Sequence, residues 1–160
     1  FMTLDIDDAR ASIRTTLDTA IRNNINPDRI ILEIDQDKVM GDPVRFGSII
    51  EEFRGAGVKF AIDHFGAGRA SLNLLEPYRP EMISLSVDLV RGIESNGLRQ
   101  AVVRGLVQTC NNLGIDMIAK SVETQHEYWW LRDEGISLFQ GNLFASPAFE
   151  QFPAITYPSE

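Results

Sequence analysis

Short apolar segments rich in β-branched residues alternate with longer amphipathic segments along the whole chain. Residues 29–34 (RIILEI), 58–63 (VKFAID), 81–86 (EMISLS), 115–120 (IDMIAK) and 136–141 (ISLFQG) read as five strands of about equal length. Helix-length stretches separate them, and parallel neighbours need connections of that length to bring the chain back to the same end of a sheet. The expected fold class is α/β, a parallel sheet or barrel.

The connecting segments carry their own start and stop signals. Asp7 or Asp8 can cap a first helix with Ala9, Ile13, Leu17, Ala20 and Ile21 as its apolar row, ending near Asn23, Asn24 and Pro27. Asp42 followed by Pro43 starts a second helix, with Phe46, Ile49, Ile50 and Phe53 inward and Gly55 and Gly57 as its stop. A helix-length segment follows the glycine-rich FGAG of residues 65–68. Over residues 98–113 the row Leu98, Val102, Leu106, Cys110 and Leu113 predicts a helix closed by Gly114, and Thr124 with Glu127 predicts a capping box for the next one, closed by Gly135.

Composition narrows the partners. The chain holds 15 Lys and Arg against 23 Asp and Glu, a net charge of −8, and its basic residues are scattered singly. That offers no footprint for a phosphate backbone or an anionic membrane, so neither direct nucleic-acid nor membrane binding is expected. No apolar run approaches the roughly 20 residues needed to cross a bilayer. The single Cys110 excludes a disulfide framework and points to the cytoplasm.

In parallel α/β folds ligands bind at the C-terminal strand ends. Those ends carry Glu33 with Gln36 beyond it, Asp63 with His64, Ser84 with Ser86, Lys120 with Glu123, and Gln140. Strand ends are also polar simply because they meet water. Glu33 and Asp63 on successive strands would nevertheless suit a divalent metal. Cys110 reads as a core position, the Trp129–Trp130 pair as split between core and surface, and His126 as a first-turn residue with no chemistry in its surroundings; the glycines of 66–68 fit a tight turn as well as an anion nest.

The order and spacing of LEI (32–34), AIDHFGAG (61–68), ISLS (83–86), AKSVET (119–124) and FQGNLFASP (139–147) resemble the EAL domain of cyclic-di-GMP phosphodiesterases, above all the branch joined to BLUF blue-light sensors. The resemblance covers nearly the whole chain. It implies a TIM-like (β/α)8 barrel in which two Mg²⁺ or Mn²⁺ ions activate the water that opens the cyclic dinucleotide.

Carried over residue by residue, the pattern is only partly met. Glu33 and Asp63 fall on metal-ligand positions, and Gln140 and Glu123 also match. His64 stands where a second acidic ligand is expected, and a neutral imidazole could still ligate. Ser84 replaces the lysine of a K-I-D motif and Ser86 its aspartate, while Gln36 replaces a glutamate that supports a loop. Lys120 takes the place of the glutamate in A-E-G-V-E-T that serves the metals and the attacking water, so the general-base position holds a cation.

The resemblance therefore implies a catalytically degenerate EAL domain acting by sensing the dinucleotide or by binding a protein partner such as a transcription regulator, with Mg or Mn weakly bound or absent. The alternative is an active Mg/Mn-dependent phosphodiesterase yielding the linear dinucleotide. Homodimerisation is an expectation from resemblance only. A complete barrel takes about 250 residues, so residues 1–160 are expected to be a single EAL-like domain lacking its N-terminal strands and signature segment. Phe1 would then lie in an exposed edge strand prone to self-association.

Overall fold

The computed structural model describes residues 2–3, 9–66, 71–151 and 153–158. Backbone proximity divides the chain into two compact units, Phe1–Asp63 with Gly68–Met82, and His64–Ala67 with Ile83–Glu160.

The first unit runs β1 (Met2–Thr3), α1 (Ala9–Arg22), β2 (Ile31–Asp35), α2 (Gln36–Gly41), α3 (Pro43–Gly55), β3 (Lys59–Phe65, whose last two residues belong to the second unit) and the single turn α4 (Leu75–Tyr78). Its strands are parallel and ordered β1-β2-β3, with Thr3 opposite Glu33, Leu32 opposite Phe60 and Asp35 opposite Asp63. Helix α3 forms as its sequence dictates. The Asp42 carboxylate accepts from the Arg45 N–H at 3.1 Å, Pro43 occupies the first turn, and Phe46, Ile49, Ile50 and Phe53 are all buried. Leu32 and Ile34 on β2 and Phe60, Ala61 and Ile62 on β3 complete this core.

The second unit runs β4 (Met82–Leu85, its first residue in the other unit), α5 (Val87–Val90), α6 (Gly97–Leu113), β5 (Asp116–Ala119), α7 (Gln125–Asp133) and β6 (Leu138–Phe139). Strand β6 runs parallel to β5, with Ile118 opposite Leu138 and Ala119 opposite Phe139. Gly114 closes α6 in the left-handed conformation, φ 68°, and the Ile115 N–H reaches back to the Cys110 carbonyl at 2.9 Å. That conformation is open to glycine at little cost.

Several expectations need correction. In α6 the buried row is Val103, Leu106, Val107 and Cys110, while Leu98 is 78% exposed and Val102 and Leu113 also face solvent. Each i, i+4 step drifts by about 40° on a 3.6-residue helix, so from Leu98 to Cys110 the row turns through about 120°, and the inward face lies at its Cys110 end, leaving Leu98 and Val102 outside it. The same drift leaves Ile21 exposed on α1, where Ile13 and Ala20 are buried; the proposed cap, Asp7 or Asp8, lies outside the described residues, as does the side chain of Ala9.

The helix expected after residue 68 is, where described, a 3-10 turn (Ser71–Leu74) and then α4, stopped at Arg79, whose φ is 42°. Most of the glycine-rich turn itself, residues 67–70, lies outside the described residues. Helix α2 was not expected from the sequence. It exists because the Asp35 carboxylate accepts the Asp37 N–H at 2.8 Å, an N-cap directly at the end of a strand. Cys110 is fully buried, as expected, and burial pushes its thiol up to about 11.

Candidate functional site

The strand-end residues fall into two sets, one in each unit. In the first, Glu33 lies mid-strand on β2 rather than at its end, and is 2% exposed. Asp35 takes the end position, and its side chain caps α2. Residues two apart on a strand share a face, as do register partners on parallel strands. Glu33, Asp35 and Asp63 therefore lie on one face of β2 and β3, with Glu33 opposite Ala61 and Asp35 opposite Asp63. Gln36 is buried in the first turn of α2.

The end of β3 is bent. His64 has φ 55°, a left-handed conformation uncommon outside glycine, and it is exposed whereas Asp63 is half-buried. On β4, Ser84 is fully buried, and so is Ser86 just beyond the strand. The Ser86 N–H donates to the Phe65 carbonyl at 2.9 Å, but its hydroxyl neither caps α5 nor finds another hydrogen-bond partner. A buried hydroxyl left in that state is costly, and such groups mark places where a structural or functional reason is to be sought.

The ends of β5 and β6 meet in a small polar cavity of about 230 Å³ lined by Lys120, Ser121, Glu123, Gln140, Gly141 and Asn142. Three of the residues singled out from sequence, Lys120, Glu123 and Gln140, are thus brought together; Ser84 and Ser86 do not line this cavity. Backbone hydrogen bonds hold its two walls. The Gln140 N–H donates to Ala119 O at 2.9 Å, the Val122 N–H to Gln140 O at 3.0 Å, and the Leu143 N–H to Val122 O at 3.1 Å. Gly141 passes so close that a Cβ would overlap the backbone of Val122, with its carbonyl carbon only 2.8 Å away.

Behind this wall lies a buried carboxylate whose full role the sequence did not show. Glu127, 1% exposed, forms the expected capping box with Thr124. It also accepts from the Glu123 N–H at 2.9 Å and, across 35 residues, from the Gly92 N–H at 3.0 Å. Arg91 pairs with Glu123 and lies 3.7 Å from Glu127. Burial by itself pushes the Glu127 carboxyl up, but the three backbone donors and the Arg91 guanidinium outweigh it and hold it below its ordinary value. The only sequence signal was the spacing of Thr124 and Glu127; nothing local pointed to Arg91.

Chemically, the cavity presents a cation, Lys120, the amides of Gln140 and Asn142, and a carboxylate, Glu123, already paired with Arg91. That set suits a phosphate-bearing ligand better than a metal ion.

A family model of the EAL domain matches residues 5–147. The chain belongs to the EAL domain family. Among curated relatives it is 36% identical over 138 residues to the blue light- and temperature-regulated antirepressor BluF of Escherichia coli, covering 86% of this chain and 34% of that protein. It is 34% identical over 110 residues to the cyclic di-GMP phosphodiesterase PdeR of the same organism, covering 69% of this chain and 16% of the relative. The chain thus spans about a third or less of these relatives.

Among solved structures, the calcium and cyclic-di-GMP complex of Klebsiella pneumoniae BlrP1 matches at TM-score 0.85 and 36% identity, over 90% of this chain and 36% of that one. A standalone EAL protein of Vibrio cholerae in its c-di-GMP-bound form matches at TM-score 0.85 and 31% identity, over 98% of this chain and 66% of that one. The EAL fold class and the kinship with BLUF-associated members agree with the sequence reading.

BlrP1 has been solved in complexes that hold cyclic-di-GMP with manganese or calcium. Among the described residues no three His, Cys, Asp or Glu side chains stand close enough together to hold a metal ion. Paired dications need several carboxylates to offset their charge. Among the described residues no helix is long and apolar enough to cross a membrane.

Proposed function

We propose that this EAL domain is a degenerate member of the cyclic-di-GMP phosphodiesterase family that binds the dinucleotide without hydrolysing it and acts as a regulatory module in the cytoplasm. Lys120 carries this reading. It lines the polar cavity at the end of β5, at the position where the family motif has a glutamate. At an effective dielectric near 20, unit charges 4 Å apart interact by about 4 kcal/mol, so an ammonium beside a dication meets roughly twice that in repulsion. Toward a phosphodiester the same ammonium is attractive. Ser84 supports the reading, since a buried neutral hydroxyl stands where the family's lysine belongs.

The signal passes to a protein partner, with a transcription regulator as the class that likeness to an antirepressor suggests. A homodimer is compatible with this arrangement. The deciding experiment incubates the full protein with cyclic-di-GMP and Mn²⁺, following linear product by chromatography and binding by calorimetry. Binding with no product above blank is expected. Turnover well above blank would establish an active phosphodiesterase, and no binding heat would remove the nucleotide from the account.

A further inference from the structure

The polar cavity has a floor that is not local to it. The loop from Lys120 to Thr124 crosses from β5 to α7 with Ser121 in a left-handed conformation, φ 59°. Its last two N–H groups, those of Glu123 and Thr124, both point at Glu127 Oε2. The other oxygen of that carboxylate takes the Gly92 N–H, in the turn that follows α5. Arg91 in the same turn pairs with Glu123, which lines the cavity, and lies near Glu127, which does not. The Arg99 guanidinium in turn binds the Arg91 carbonyl, tying this turn to the first part of α6. One buried carboxylate thus satisfies donors from two segments, and one guanidinium bridges the same two.

We infer that Glu127 is a positioning residue: with Arg91 it clamps the cavity wall at Glu123 and Thr124 to the Arg91–Gly92 turn, so that occupation of the cavity by a phosphate-bearing nucleotide and the conformation of that turn depend on each other. The ligand class rests on the proposed function above; the clamp does not. An anion entering beside Lys120 competes with the Glu123 carboxylate for Arg91. Any shift of Arg91 is felt at Gly92, because both belong to one turn. The coupling runs in both directions, as equilibrium coupling must.

Amide hydrogen exchange on the full chain, resolved by residue, tests this. Glu127→Gln keeps the shape of the side chain but turns one accepting oxygen into a donor. Exchange at Gly92, Glu123 and Thr124 is expected to rise at least tenfold, while the interior amides of α7 keep their protection. Arg91→Ala removes no donor or acceptor from the Glu123 and Thr124 amides, yet is expected to accelerate both, and it remains informative should the Glu127 variant fail to fold. Glu134→Gln, which breaks the Arg104–Glu134 pair at the far end of α7, is expected to leave all three amides unchanged.

Cyclic-di-GMP is then expected to slow exchange at Gly92 in the wild type and not in Glu127→Gln. Unchanged exchange at Glu123 and Thr124 in Arg91→Ala overturns the clamp whether or not nucleotide binds. Protection of Gly92 that persists in Glu127→Gln overturns the coupling. Amides that respond to both substitutions while nucleotide protects none of them uphold the clamp and overturn the nucleotide reading instead.

Discussion

Lys120 and Gly141 line one cavity and answer to different constraints. The lysine is a matter of charge. Replacing it by an acid, Lys120→Glu together with His64→Asp, restores two acidic positions of the family pattern and should raise Mn²⁺ affinity at least tenfold by calorimetry. An unchanged binding isotherm would show that the remaining carboxylates are not arranged to receive an ion. The glycine is a matter of space. The atoms a Cβ would strike belong to the Val122 backbone, itself fixed by hydrogen bonds to Gln140 and Leu143, so they cannot yield as a flexible side chain would. Gly141→Ala should therefore cost about 1–3 kcal/mol in urea denaturation, the range for overpacking a well-filled site. Wild-type stability in that variant would mean the β5 and β6 ends separate easily. Glu33 shows how a residue's role depends on its place. Its position on the LEI motif was readable, but its burial in mid-strand was not, because burial depends on what covers β2 rather than on β2 itself.

At the scale of the element, the local signals that worked are those whose donor and acceptor lie within one turn of each other. Asp42 caps α3, and Thr124 with Glu127 caps α7, as spacing alone predicts. Thr124→Ala should destabilise the chain by about 1 kcal/mol, within the 0.5–2 kcal/mol range for lost N-caps, read as a lower urea midpoint at unchanged slope. An unaltered midpoint would show that Glu127 holds the helix start without its reciprocal partner. Helix α3 was legible down to its four buried positions because Phe46, Ile49, Ile50 and Phe53 follow the i, i+3, i+4, i+7 pattern of a true inward face. Helix α6 was legible as a helix and misread as a surface. Leu98, Val102 and Leu113 are as apolar as Val103 and Val107, and only the packing chooses between the two rows. Helix α2 went unseen because Asp35 acts as a strand end and a helix cap at once.

For the whole molecule, Glu127 makes stability depend on pH. Its folded carboxyl is held below its ordinary value, so the stability it contributes is complete above the unfolded value of about 4.3 and is lost as the pH falls through the lower folded value. Urea midpoints measured from pH 6 down to pH 3 should fall more steeply for the wild type than for Glu127→Gln, with the two curves converging at the acid end. Parallel curves would mean that the carboxylate is no better solvated by Gly92, Glu123, Thr124 and Arg91 than by water. The sequence by itself determined the alternation of its five main strands with helices, the caps of α3 and α7, the family, and the inventory of polar groups at the strand ends. Those features depend on residues a few positions apart, where backbone geometry is the same in any fold. The tertiary structure alone decided which row of α6 is buried, that Asp35 rather than Glu33 ends β2, and that Glu127 gathers N–H donors from Gly92 as well as from its own turn. A buried charge needs hydrogen-bonding or charged partners, and those that come from distant parts of the chain, as Gly92 and Arg91 do here, are encoded by no local spacing.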